Sequence, residues 1–375
     1  MNDPADSGQP LDICLLAPWY GGSHRRWADG LQQHSRHRIE ILSLPDRHWK
    51  WRLHGAAVTF AGLIRDSGRR HDLILASDMM DVAVFRSLLR GSPADGPVAV
   101  YFHENQLGYP VSPLDSDLRE GRDLHYGFIN YTSALAADRV FFNSSWHRDS
   151  FLGELPRFLS RFPDHPNLET VERIRERSEV LPLGLDLRAL EAQRPRRREA
   201  NEVPLLLWNH RWEYDKRPEA WMRLILDLKS AGLEFEVALL GQRSGSEPPL
   251  LGELRKALGP AVLIDGTVED SAEYASWLWR ADILPVTSGQ DFFGGSVIEA
   301  VYCGCHPWLP RALAYPEHFP GAPVFYDSGA EALEGLARLV ASGAWKQPRP
   351  GSDTLLRYDW SRLAPRYDRA FRSMA

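Results

Sequence analysis

Asp291 and Glu299 stand eight positions apart in the stretch Thr287-Ser288-Gly289-Gln290-Asp291-Phe292-Phe293-Gly294-Gly295-Ser296-Val297-Ile298-Glu299-Ala300. The apolar run Ile283 to Val286 precedes it, adjacent glycines turn the chain, and a helix follows. At that helix N-terminus the amides of Gly294, Gly295, Ser296 and Val297 can hydrogen-bond phosphate oxygens. One carboxylate before the turn and one a turn into the helix reach two hydroxyl-bearing parts of a nucleotide sugar. Glu299 lies within Val-Ile-Glu-Ala-Val, an apolar setting that would bury a carboxylate without purpose unless it has a partner. A second pair, Arg211 and Lys216, follows the apolar run Leu205 to Trp208 in Asn209-His210-Arg211-Trp212-Glu213-Tyr214-Asp215-Lys216. Two fixed cations at a strand exit can neutralise a departing diphosphate without proton transfer. Equally, they can be solvated charges paired with Glu213 and Asp215.

The first half carries a different set. The apolar run Val98 to Phe102 ends in His103-Glu104-Asn105-Gln106. Four polar residues closing a buried strand are costly without ligand or network partners, which makes His103 the candidate sugar contact. The strand Ile13 to Ala17 leads into Pro18-Trp19-Tyr20-Gly21-Gly22-Ser23-His24, where Gly21 and Gly22 let backbone amides face an anion or sugar; a plain tight turn fits as well. Asn143 follows Val140 to Phe142 and either caps the next helix or faces a ligand. Between Gly21 and Arg70 there are ten Lys/Arg against four acids, net +6, in a chain of net charge −6. Within that basic island Arg47, Trp49, Lys50, Trp51 and Arg52 interleave cations with aromatics. This composition suits single-stranded RNA loops, and also a packed surface helix with snorkelling cations.

These residues need elements to hold them. Five apolar runs (Ile13 to Ala17, Ile39 to Leu42, Leu73 to Ala76, Val98 to Phe102, Val140 to Phe142) alternate with stretches of helical length such as Ser23 to Gln33, His125 to Ala137 and Ser145 to Leu155. A second series begins at Leu205 to Trp208 and continues with Phe235 to Leu239, Val262 to Ile264, Ile283 to Val286 and Pro307 to Leu309. Each series predicts a doubly wound parallel α/β domain. The boundaries are 1–186 for the first, 187–203 for an exposed linker rich in Arg and Pro, and 204–359 for the second. Residues 360–375, with Leu363, Tyr367 and Phe371 at four-residue steps, form an amphipathic helix that crosses back to the first domain. Two such domains facing each other across a cleft place ligands outside the carboxyl ends of their strands.

Composition sets outer limits. With 375 residues, 43% apolar and 25% charged, the chain has material for two real cores. The negative net charge argues against nonspecific affinity for nucleic acid or anionic membrane. Cys14, Cys303 and Cys305 have neither disulfide nor zinc-knuckle spacing, which fits a reducing compartment. No signal peptide is visible, no apolar run nears the roughly 20 residues needed to span a bilayer, and a cytoplasmic location is expected.

Arg211-x4-Lys216 and Asp291-x7-Glu299 resemble the paired elements of glycosyltransferase family 4, retaining enzymes of the GT-B architecture. That family commonly has Glu where this chain has Asp291. A narrower resemblance spans both domains: Tyr101 to Pro110, Trp208 to Glu213, Glu299 to Cys305, Gly21 to His24, Phe142 to Ser145 and Tyr315 to Pro320 look like the tRNA-queuosine α-mannosyltransferase family. The resemblance implies transfer of mannose from GDP-mannose to queuosine in a tRNA anticodon loop, with retention and without a metal or other cofactor. It implies Arg211 and Lys216 on the diphosphate, Glu299 on the ribose, and Asp291, Phe292 and Phe293 around the donor sugar. Asn209, Gly21, Gly22 and Gly294 to Val297 complete the donor contacts. The catalytic set is then His103, Asp291, Arg211 and Lys216. The acceptor side comprises His24, Arg47, Trp49, Lys50, Trp51, Arg52, Glu104, Asn105, Gln106 and Asn143. Two alternatives remain open at this point: a non-tRNA acceptor, or a tRNA-binding protein with a silent donor site.

Overall fold

A computed structural model describes residues 8–110, 112, 124–196, 200–243, 247–347 and 352–375. The chain divides into two compact units, Met1–Leu185 with Trp360–Ala375, and Asp186–Asp359.

Unit 1 holds a six-stranded, wholly parallel sheet built from β1 (Asp12–Tyr20), β2 (Arg38–Pro45), β3 (Leu73–Ser77), β4 (Val98–Phe102), β5 (Arg139–Phe142) and β6 (Ser178–Val180), in the order β2-β1-β3-β4-β5-β6. Every residue of β3 and β4 is buried, as expected where helices cover both faces of a parallel sheet. Alternation along β1 feeds two cores. Cys14 and Leu16 pack with Phe60, Phe85 and Phe151, while Ile13 and Leu15 pack with Trp27, Leu31, Trp360, Tyr367 and Phe371. The helices are α1 (Gly22–His34), α2 (Trp49–Ser67), α3 (Val82–Leu89), α4 (His125–Ala136), α5 (Ser145–Leu159) and α6 (Glu169–Glu176), joined by the C-terminal helix Trp360–Arg372.

That last helix is part of the unit's core. The Tyr367 hydroxyl accepts a hydrogen bond from Trp27 Nε1 at 3.1 Å, donates to the Pro182 carbonyl at 2.9 Å, and lies 3.0 Å from the Tyr101 hydroxyl. Trp360 is seated over two glycines: a Cβ on Gly30 would lie 2.2 Å from its indole nitrogen, and one on Gly184 would lie 2.3 Å from its ring.

Unit 2 holds β7 (Leu205–Trp208), β8 (Glu236–Leu239), β9 (Val262–Asp265), β10 (Ile283–Pro285), β11 (His306–Pro310) and β12 (Phe325–Tyr326), parallel in the order β12-β11-β10-β7-β8-β9. Its helices are α7 (Leu187–Ala192), α8 (Pro218–Ser230), α9 (Pro249–Leu258), α10 (Ser271–Arg280), α11 (Gly295–Tyr302), α12 (Tyr315–His318) and α13 (Gly329–Ser342). The core joins Trp208, Trp221 and Leu224 of the β7 and α8 region to Leu251, Leu254 and Leu336.

The segment predicted as a linker differs from that expectation. Asp186 caps α7 by accepting from the Ala189 amide, Leu187 is fully buried, and the Leu190 carbonyl accepts a 2.8 Å bond from Trp279 Nε1. A cap, one apolar anchor and one hydrogen bond hold these first six residues on unit 2. Arg197 and Arg198, part of the Arg-rich run, lie outside the described residues.

Because the Trp360 seat tolerates no Cβ, Gly30→Ala and Gly184→Ala are each expected to destabilise unit 1 by about 1 to 3 kcal/mol through overpacking. Chemical denaturation followed by near-ultraviolet circular dichroism measures this.

Candidate functional site

In unit 1 the chemistry gathers at the ends of β1, β3, β4 and β5. His103 is 6% exposed, its ring 4.2 Å from the His24 ring, 4.6 Å from Trp27 edge-on and 4.8 Å from Tyr101. Neither ring nitrogen has a hydrogen-bond partner among the described residues. Burial, then the neighbouring His24 and His147, holds its pKa well below the ordinary histidine range, so the imidazole is neutral. A neutral ring with one donor and one acceptor unspent is suited to a sugar hydroxyl.

The loop bearing His103 is held by Asp78 and Asn130, which the sequence did not single out, and by Asn105 and Asn143, which it assigned to the acceptor side. Asp78, which follows β3, accepts the His103 amide at 3.2 Å and the Glu104 amide at 3.4 Å. Asn130 of α4 accepts the Gln106 amide at 2.7 Å, and Asn105 folds the turn by accepting the amides of Leu107 and Gly108. Asn143 donates to the His103 carbonyl at 2.9 Å and meets His147 Nδ1 at 2.8 Å, while Ser144 supplies the cap of α5. Asn143 is thus a positioning group for the His103 backbone. Burial, followed by Glu104, raises the Asp78 pKa well above the carboxylate range.

Gly21 is required by close approach: a Cβ there would lie 2.0 Å from Asp46. Gly22 has φ +51°, a conformation that favours glycine. Next along the chain, Arg47 is exposed and α2 begins with Trp49, Lys50, Trp51 and Arg52, the last donating to the Pro45 carbonyl.

In unit 2 the two predicted acidic and basic elements converge. The Lys216 ammonium, with its side chain 12% exposed, lies 3.3 Å from the Asp215 carboxylate and 3.3 Å from that of Asp291, and donates to the Gln290 carbonyl at 2.8 Å. Asp291 also accepts from the Tyr315 hydroxyl at 3.0 Å. Burial alone would raise its pKa, but Lys216, His210 and the Tyr315 hydroxyl outweigh that and lower it, so the carboxylate is anionic. The pairing of Lys216 with Asp215 considered from sequence is present, and it coexists with the ion pair to Asp291.

Glu299 is buried and accepts from the Tyr274 hydroxyl at 3.1 Å. Asn209 donates to Tyr274 at 3.3 Å and to the Ser296 carbonyl at 2.9 Å, and the Ser296 hydroxyl lies 3.1 Å from His210 Nδ1. The start of α11 is thereby fastened to the end of β7. Gly294 caps α11 at φ +81°, and a Cβ there would lie 2.9 Å from Tyr315. Arg211 is exposed, whereas Phe292 and Phe293 are buried, and Phe293 packs its ring against His318 and Tyr358. Sequence reasoning quoted His210 and Tyr315 without giving either a role and did not reach Tyr274. Their partners are 24 to 86 positions away, and only His210 had a local signal, that of a polar residue just after a strand.

Among the described residues, His24, Asp78 and His103 each offer a metal-ligand atom within 4.8 Å of the others, a donor set compatible with a divalent ion such as zinc. Both oxygens of Asp78 already accept amide hydrogens.

Comparison with known proteins now bears on the site. Residues 12–185 match the family described as tRNA-queuosine alpha-mannosyltransferase N-terminal. A protein of Drosophila melanogaster named tRNA-queuosine alpha-mannosyltransferase is 34% identical over 326 residues, covering 85% of this chain and 84% of that protein. The chain belongs to the tRNA-queuosine α-mannosyltransferase family. The family's fold is visible in solved structures. Sucrose-phosphate synthase from Thermosynechococcus elongatus has a TM-score of 0.70 at 15% identity, covering 98% of this chain and 99% of the other. The lipopolysaccharide outer core galactosyltransferase WaaB has a TM-score of 0.61 at 10% identity, covering 97% and 99%. These likenesses bear out the GT-B fold class.

The buried histidines predict an acid limit. Burial, and then Lys216, lowers the His210 pKa to about 4; burial lowers that of His318 to about 4. As pH falls below about 6.5, the unfolded chain takes up these protons before the folded one, so stability is lost progressively toward pH 4. The loss is on the order of 3 kcal/mol for each when fully developed. Thermal midpoints recorded from pH 7 to 4.5 are expected to fall, with a shallower slope in His318→Asn.

Proposed function

We infer that this chain transfers mannose from GDP-mannose to queuosine in the anticodon loop of a tRNA, with retention of configuration. The observation that carries the reading is family membership: a relative that matches over 85% of the chain bears the name tRNA-queuosine alpha-mannosyltransferase. The site chemistry supports it. In the donor step the bond between the sugar C1 and the β-phosphate oxygen breaks and a bond from C1 to the acceptor hydroxyl oxygen forms. The hydroxyl proton passes to the leaving phosphate, and GDP departs. Lys216, together with Arg211, stabilises the charge that grows on the diphosphate, and the amides at the start of α11 do the same at shorter range. Asp291 holds Lys216 in place and faces the sugar. Glu299, set by Tyr274, accepts from the ribose hydroxyls. Neutral His103 holds a sugar hydroxyl, with the loop behind it fixed by Asp78 and Asn143.

The cations supply the electrostatic stabilisation that a metal ion gives in other transferases, so the reaction is proposed to run without one. A location among cytoplasmic tRNAs accords with this reading. Among the described residues no helix is long and apolar enough to cross a membrane.

Incubation of the purified protein with GDP-mannose and queuosine-containing tRNA, followed by nucleoside mass spectrometry, tests the assignment. A hexose added to queuosine is expected, with a rate loss of about 100-fold or more in Lys216→Ala and a comparable loss in Glu299→Ala. GDP binding without hexose transfer would keep the transferase and move the acceptor to a glycan, lipid or small metabolite. Absence of GDP binding would overturn the enzymatic reading. Dialysis against a chelator is expected to leave the rate unchanged; a loss restored by added zinc would instead assign a metal to His24, Asp78 and His103.

A further inference from the structure

The first turns of α2 carry an arrangement that the donor and sugar chemistry does not use. Trp51 is 63% exposed, the most exposed large hydrophobic residue among those described. It does not swing freely from the helix surface. A Cβ on Gly55, one turn further on, would lie 2.6 Å from the indole, so the edge of the ring that carries the indole nitrogen rests against the glycine while most of the side chain stays exposed. Glycine within a helix is destabilising relative to alanine, and here it creates room for that ring. From Arg47 to Arg65 the chain contains no Asp or Glu but has Arg47, Lys50, Arg52 and Arg65. Lys50 lies over the rings of Trp49 and Tyr126, and His54 meets His125 of α4 at 3.1 Å between their Nε2 atoms. Val58, 60% exposed, continues the stripe one turn beyond Gly55. The patch adjoins the sugar-contact loop through the chain: Asp46, just before Arg47, abuts Gly21, and three residues after Gly21 the His24 ring lies 4.2 Å from that of His103, tilted against it.

We propose that the outer face of the Trp51 indole is a stacking platform for an unpaired nucleobase of the acceptor RNA, with Arg47, Lys50 and Arg52 holding the adjoining phosphates. The proposal rests on the tRNA-acceptor reading above and adds to it a specific contact outside the reacting nucleoside. A helix face with one exposed ring seated against a glycine suits a base, whose flat π-face needs no groove. Cations without intervening acids suit the phosphate backbone on either side. An unpaired base is also the part of an RNA loop that aromatic side chains can reach.

The test uses the full chain and two acceptors: queuosine-containing tRNA for transfer, and a synthetic anticodon stem-loop RNA lacking queuosine for binding, read by fluorescence anisotropy. Stacking on one base by alanine substitution converts to roughly 10- to 100-fold. Trp51→Ala is therefore expected to raise both the KM for tRNA and the Kd for the stem-loop by that factor, with the KM for the nucleotide sugar unmoved. Trp51→Phe, which keeps a ring, is expected to stay within about threefold of the parent. Gly55→Ala, which displaces the indole, is expected to weaken RNA binding while Trp51 is still present. Transfer to tRNA that is indifferent to Trp51→Ala would overturn the platform and leave the acceptor assignment standing. Trp51-dependent binding of the stem-loop without transfer to queuosine would do the reverse. Trp51-dependent binding to vesicles of phosphatidylserine and phosphatidylcholine, with RNA binding unaffected, would make the face a membrane surface and end the proposal.

Discussion

A parallel strand covered on both faces delivers its carboxyl end into a place that water reaches poorly, and the backbone amides and carbonyls there must find partners inside the protein. Much of the site follows from that constraint. Asp78 lies beneath the amides of His103 and Glu104, and Asn143 binds the carbonyl of His103. The Asp215 carbonyl takes the amides of Gly289 and Gln290, and Lys216 takes the carbonyl of Gln290. In each case a side chain or main-chain group from one strand end completes the backbone of the next. The functional side chains are therefore set by the same bonds that allow the loops to be buried.

The two units meet the constraint with different chemistry. Around His103 the partners are mostly neutral amides and imidazoles, together with Asp78, whose pKa is pushed up. Such surroundings leave hydrogen-bonding capacity for hydroxyl groups and little fixed charge. Around Lys216 the partners are full charges, with Asp291 held anionic and His210 held neutral by burial and the same ammonium. An environment already polarised in that way can accept a growing negative charge with little reorganisation.

The strands were largely legible because fully buried parallel strands are written as unbroken apolar runs, as in Leu73–Ser77 and Val98–Phe102. The edge strands Ser178–Val180 and Phe325–Tyr326, half-exposed and two or three residues long, have no such run and were not read. Helix Leu187–Ala192 was hidden by the Arg and Pro composition just after it. Of the candidate site residues, Asp291, Lys216 and Glu299 could be nominated because each follows a strand end or glycine turn closely in its own sequence. Asp78, Tyr274 and Tyr315 could not, since each is defined by the residue it touches across the fold. The seat of Trp51 was half visible: the basic aromatic run stands out, but the role of Gly55 needs the geometry of one helical turn.

The C-terminal helix makes unit 1 a structure sewn from both ends of the chain, with Tyr367 bonded to Trp27 340 positions away. Unit 2 is one continuous segment, Asp186–Asp359. During synthesis from the N-terminus, the second unit has all of its residues before the first does. The sheet of β1 to β6 must wait, with the face that receives Trp360 and Phe371 uncovered, while more than half of the chain is still being made. The units are thus completed in the reverse of their order in the sequence, and an apolar face left open in the first is where chaperones would be engaged.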